Sequence, residues 1–169
     1  MVSIVKNTQD ISTSYSVGVD KLVPIKFNNW LLEVDLHKTK EFYRKEVELC
    51  NCIYCENYIK VCKQLGKPLM DVFATFGINP TKPSHLSEFG AEEDGLRLYI
   101  GSYHFVGKLI NGVYCSDSNW NAGNTVKVEN FTFGFSEELQ FVHKELEHPV
   151  LQLDFEALIP WILNQGLEE

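Results

Sequence analysis

Arginine is nearly missing from this chain: Arg44 and Arg97 are the only two in 169 residues. Two-pronged recognition of phosphate leans on that side chain, and no run of lysines replaces it. Lys and Arg total 15 against 23 Asp and Glu, a formal net charge of -8. That balance argues against nucleic acid or an anionic membrane as the partner, since either needs concentrated basic charge. Long apolar runs are missing as well, and no stretch approaches the ~18 residues a bilayer span requires. The start, Met1 to Asn7, has no basic region leading into an apolar one, so a secretory leader is not expected and a cytoplasmic location is. No Walker A, G-x-G-x-x-G, G-x-S-x-G or H-E-x-x-H pattern occurs, which leaves the enzyme classes they mark without support. Internal repeats and low-complexity tracts are absent too.

What the chain does contain is apolar and aromatic. Hydrophobic residues make up 44%, with eleven Phe, seven Tyr and three Trp, enough to build a core. The length suits one domain. Residues 1–20 are rich in Ser, Thr, Asn and Asp without a sustained period, and read as a loose arm or a peripheral strand; residues 21–169 read as a single domain.

Trp30, Leu32, Val34 and Leu36 alternate with Leu31, Glu33, Asp35 and His37, the period of a half-buried strand. Thr39–Leu49 mixes helix formers with charge and suits a short helix or an exposed connection. Cys55, Tyr58, Ile59, Cys62 and Leu65 recur at helical steps, so a helix is expected over 51–65, stopped by Gly66. A second spans 68–76, with Pro68 in its first turn and Gly77 past its end. Strands follow: 96–110 around a bend at Gly101, then a type I′ hairpin with Asn111-Gly112 at its tip and Val113 to Cys115 returning. The phase change between Val126/Val128 and Phe131/Phe133/Phe135 predicts a bulge near Glu129-Asn130. Residues 136–147 suit a helix or a loop. A last strand runs through Leu151, Leu153, Phe155 and Ala157, with Pro160 opening a short final helix. Two helices in the first half and a mostly antiparallel sheet in the second make this an α+β domain.

The unusual constellation is Cys50-Asn-Cys52-Ile-Tyr-Cys55, with Cys62 a little further on and Cys115 distant. Five cysteines, four of them within thirteen residues, do not make a disulfide framework. Three readings stand side by side. Cys50, Cys52 and Cys55 supply thiolates for a structural zinc ion, with Cys62, Cys115, His37 or His104 as the fourth ligand. Alternatively Cys52 and Cys55 form a redox C-x-x-C whose thiolate is favoured by a helix N-terminus. In the third reading the cysteines, Cys62 and Cys115 above all, are small core hydrophobes. For the first two readings, Cys50, Cys52 and Cys55 should converge at the start of the helix.

Other groups are weaker. Glu33, Asp35 and His37 would share one strand face and have the groups for a hard metal or proton transfer, but alternation with Trp30, Leu32 and Val34 already explains them as a polar outer face that needs no function. His104 lies in an apolar strand as a hydrogen-bonded core histidine or a proton-transfer group. Gly90-Ala-Glu-Glu-Asp-Gly95 is too short for a twelve-residue calcium loop and reads as a solvated turn.

Cys50-x-Cys52-x-x-Cys55-x-Asn57-Tyr58, Phe76-Gly-Ile-Asn-Pro80, Tyr103-His-Phe-Val-Gly107, Pro149 to Phe155 and Ile159-Pro-Trp161 together resemble a family of small uncharacterised proteins of Gram-positive bacteria. The resemblance implies a bacterial cytoplasmic protein and assigns no catalytic residue. By analogy with toxin-neutralising immunity proteins, a non-enzymatic protein-binding role is expected. The acidic charge and an exposed Trp120 loop suit a basic protein partner. The alternative is a thiol-redox or metal-dependent enzyme using Cys50, Cys52 and Cys55.

Overall fold

The computed structural model describes residues 2–4 and 21–167, and in them three helices pack on one antiparallel sheet. The strands are β1 (Val2–Ile4), β2 (Val23–Phe27), β3 (Trp30–Val34), β4 (His85–Ala91), β5 (Arg97–Asn111), β6 (Val126–Val128), β7 (Phe131–Ser136) and β8 (Val150–Ile159). The helices are α1 (Leu36–Arg44), α2 (Ile53–Cys62) and α3 (Lys67–Phe76). Strand order is β1-β2-β3-β5-β8-β7-β6, and every ladder is antiparallel. The fifteen-residue β5 is the spine: one edge pairs with β8, the other with β4 and then β3. Of the arm read at 1–20, Val2–Ile4 is the edge strand β1, and residues 5–20 lie outside the described residues.

The alternation beginning at Trp30 is a strand only to Val34. Asp35 turns the chain: its carboxylate accepts the Lys38 N–H at 2.9 Å and caps α1. There are therefore three helices rather than two, and the first lies ahead of the expected region. Thr39 of α1 locks onto β5, since its hydroxyl donates to the Asp35 carbonyl and accepts the Val106 N–H. Removing the cap in Asp35→Ala should cost about 1 kcal/mol, read as a lowered urea midpoint with unchanged slope.

Asn111-Gly112 is not a hairpin tip. Gly112 has φ 127° but Asn111 is the last residue of β5, and the chain beyond it leaves the ladder. A Cβ on Gly112 would come within 2.5 Å of the Trp30 ring, so close approach to that indole demands the glycine. The two-residue hairpins lie elsewhere, at Asn28-Asn29 and at Glu129-Asn130, where Asn28 and Glu129 take positive φ. The phase change near Glu129 is thus a turn between two strands, not a bulge within one. β5 runs through Gly101 without a register shift against β8, and a Cβ there would collide with the His85 carbonyl and the Phe155 ring. Residues 137–149 form a loop, and among the described residues no helix follows Pro160.

Helices α2 and α3 cover one sheet face. Tyr58 stacks on Phe155, Phe73 meets Tyr103, Phe131 and Phe133 edge-on, and Phe76 lies against Phe27, Phe105 and Phe135. The polar end of this aromatic layer is satisfied in series. The Tyr58 and Tyr103 hydroxyls are 2.6 Å apart, and Tyr103 donates onward to the Pro80 carbonyl. Asn57 clamps the chain end: its amide donates to the Pro160 carbonyl and its oxygen accepts the Ile162 N–H. Arg97 is held between Glu88, at 2.6 Å, and the faces of Tyr54 and Trp161. Among the described residues no helix is long and apolar enough to cross a membrane.

Candidate functional site

The connection from α1 to α2 brings the three cysteines together. Cys52 is the N-cap residue of α2, and its Sγ accepts the Cys55 N–H at 3.5 Å. One helical turn separates Cys55 from it, so both sulfurs face the same way, and the extended backbone before the cap folds Cys50 back. The three Sγ atoms lie within 4.8 Å of one another. Cys50 and Cys52 are exposed while Cys55 is buried. The Cys50 thiol titrates below its ordinary range because the Cys52 N–H and then the neighbouring thiols stabilise its thiolate. Cys55 goes the other way, to about 12, pushed by burial and by the two sulfurs beside it. The first proton therefore leaves from Cys50, at the exposed end of a cluster of soft donors.

None of the four expected fourth ligands joins this cluster among the described residues. Cys62 is buried with the Tyr58 and Tyr103 hydroxyls, and burial drives its thiol up to about 12. Cys115 sits on the opposite face of the sheet, 4.0 Å from Asp154. His37 is on the exposed side of α1. His104 has both ring nitrogens engaged, Nδ1 with the Ser84 hydroxyl and Nε2 with the Gln152 carbonyl oxygen, and burial lowers its pKa. What borders the triad instead is a cavity of about 220 Å³ lined by Cys50, Cys55, Glu48 and His85 among others.

The other sequence candidates disperse. Glu33, Asp35 and His37 do not share a face, because Asp35 caps α1 and His37 already belongs to it. Glu33 pairs with Lys108 across the β3–β5 ladder. The acidic segment 90–95 is the exposed turn joining β4 to β5.

A second concave site, missed in the sequence, lies on the sheet face away from the helices. Ser102 of β5, Gln152, Asp154 and Glu156 of β8 and Ser136 of β7 form the floor of a cavity of about 370 Å³. Trp120 walls it and is half-buried rather than displayed on a free loop. It approaches the sheet because Gly134 has no side chain; a Cβ there would stand 3.1 Å from the indole and 2.7 Å from Cys115 Sγ. The opposite wall is His85 and Phe89 of β4. The floor is wired by hydrogen bonds. Gln152 accepts from His104 and from the Gln140 N–H, then donates to Asp154 Oδ1 at 2.7 Å. No signal in one segment reveals this site, since its groups come from four strands and two loops. No protein-family model, no curated protein and no solved structure matches this chain.

Burial raises the Asp154 pKa to about 6, with the Asp117 charge adding to the rise and the Gln152 amide opposing it. Its other charged or titratable neighbours are Cys115, Glu138, Glu156 and His85. The folded chain thus binds the proton more tightly than the unfolded one. Stability falls as pH rises from about 4 to about 6, and the cost persists above that. Two pH units correspond to about 2.7 kcal/mol for a dry site; partial solvent contact reduces this. Asp154→Asn should therefore gain about 1–2 kcal/mol at pH 8 and nothing at pH 4, measured by urea unfolding at both.

Proposed function

We propose that the protein is a non-enzymatic binding domain for a basic protein partner, with a structural zinc ion held by Cys50, Cys52 and Cys55. The convergence of the three sulfurs carries this reading. Thiolates are the ligands zinc takes in structural sites, at ~2.3 Å from the metal, and three sulfurs within 4.8 Å of one another are near enough for one ion to draw them together. A molecule from solution, or a group from the adjoining cavity, would complete the tetrahedron. Bound there, the ion ties the α1–α2 connection to the start of α2 and so steadies the helix layer under the sheet. The groups sequence reasoning favoured for proton transfer have structural employment instead: Asp35 caps a helix and His104 is bonded at both nitrogens.

One observation favours the thiol-enzyme alternative. Cys50 is exposed and its thiolate is stabilised by the Cys52 N–H, which suits a nucleophile as well as a ligand. Timed iodoacetamide labelling, read by peptide mass spectrometry on freshly purified protein with and without a chelator, separates the two. The zinc reading expects all three thiols protected until the metal is stripped, with Cys50 then labelled first. Rapid labelling of Cys50 before chelation, or a Cys52–Cys55 disulfide in the purified protein, would overturn it.

A further inference from the structure

We infer that the cavity on the open sheet face is the recognition site for a cationic side chain, an ammonium or guanidinium group presented by a basic segment of the partner protein. The inference rests on reading the chain as a binding domain and locates where that binding occurs. Its first support is the lining. Asp117, Glu138, Asp154 and Glu156 contribute four carboxylates, and neither lysine nor arginine lines the cavity. A concave site of one sign between low-dielectric walls concentrates the field on an incoming opposite charge.

The second support is independent of charge. Ser102 lines the cavity and is only 4% exposed. At this position the hydroxyl is available to accept an N–H from a group entering the cavity. Ser102 pairs directly with Asp154 across β5 and β8, so the hydroxyl and the carboxylate sit side by side on one face. Gln152 and His104 hold that carboxylate in position from behind.

The walls specify an organic cation. Trp120 on one side and Phe89 on the other offer aromatic faces, which attract ammonium and guanidinium groups but contribute nothing to a small hard ion seeking oxygen. The rim specifies a polypeptide as the carrier. Phe89 is 62% exposed, and Phe141, stacked on His85 beside the mouth, is 67% exposed. A free amine would leave both uncovered, whereas the apolar residues flanking a lysine or arginine in an extended segment would cover them. Among the described residues β4 pairs only with β5, so its outer edge is open for such a segment to run alongside.

The test is fluorescence anisotropy of labelled twelve-residue peptides, one of alternating Arg and Leu and one of alternating Glu and Leu, with spermidine and arginine amide as free cations. The basic peptide should bind, the acidic one should not, and the free cations should compete only at concentrations at least about tenfold higher. Asp154→Asn, nearly isosteric, and Trp120→Ala, with folding confirmed by circular dichroism, should each weaken the peptide at least tenfold, while Glu92→Gln in the exposed 92–95 turn should not. Equal binding by wild type and both groove variants, or no binding, would overturn the site. Free cations competing as well as the peptide would overturn the polypeptide as carrier. Labelling of the cysteines decides the binding-domain reading separately: failed peptide binding with protected thiols removes only the groove, and reactive thiols beside groove-dependent binding remove only the non-enzymatic reading.

Discussion

Replacing Phe73 with alanine is expected to cost about 3–5 kcal/mol, the range for emptying a large aromatic site in a core. Phe73 is fully buried on α3, with the rings of Tyr103, Phe133 and Phe131 at 5.1, 5.7 and 6.1 Å. The three surrounding rings belong to strands β5 and β7, whose backbones are fixed by ladders on both edges, so the site has little freedom to collapse. A cavity would remain. Net stability of a domain is about 5–15 kcal/mol, so the variant gives up from about a fifth to all of that margin. In a chain of this size the melting temperature should fall by roughly 10 °C or more. An exposed partner on the same helix, Met70, is the control, and Met70→Ala should lie within about 0.5 kcal/mol of wild type.

The second large effect is on metal affinity. Cys52→Ser removes one of the three sulfurs, and zinc affinity should fall by at least about a hundredfold, beyond the 10–100-fold that follows loss of a group merely supporting a ligand. The metal-free protein should respond in the opposite sense. Cys52 is the N-cap of α2 through a long 3.5 Å bond from the Cys55 N–H, and serine is a better acceptor in that position. The apo variant should be at least as stable as apo wild type. Zinc should then raise the melting temperature of wild type and leave the variant unmoved, because only a ligand bound to the folded state shifts the equilibrium. A pure packing role predicts the reverse: lower stability in the variant and indifference to zinc in both.

Local signals decided where sequence and structure agree. The 3.6-residue stripe from Cys55 to Leu65 and the Pro68/Gly77 punctuation located α2 and α3 to within a few residues, because a cap, a proline and a glycine act within one turn. The alternation Leu151, Leu153, Phe155, Ala157 located β8 for the same reason: its inner side chains all reach the aromatic layer. Asn111-Gly112 misled because its glycine answers a tertiary demand, the Trp30 ring, that imitates a turn signal. Asp35 misled because its neighbours continued the strand's alternation while its own side chain began a helix. The cysteine convergence was legible, since three residues within a six-residue span meet if a helix starts at Cys52. Its fourth ligand was not, for Cys62, Cys115 and His104 are each engaged elsewhere by contacts distant in sequence. The groove was illegible altogether. Asp154 and Glu156 look like the outer face of any strand until loop 116–125 folds Trp120 across Gly134.

The cysteine cluster and the groove adjoin at β4, where His85 lines both the cavity beside the triad and the groove. In this account the metal steadies the helices, the helices hold the sheet, and the sheet's other face does the recognition. The cysteine cluster is the part on which the account turns. Elemental mass spectrometry of freshly purified protein, alongside the Cys50→Ser/Cys52→Ser/Cys55→Ser variant purified in the same way, addresses it most directly. The account predicts close to one zinc per wild-type chain and none in the variant. Equal metal in both, or a metal-free wild type whose three thiols take up no zinc on titration, would contradict it.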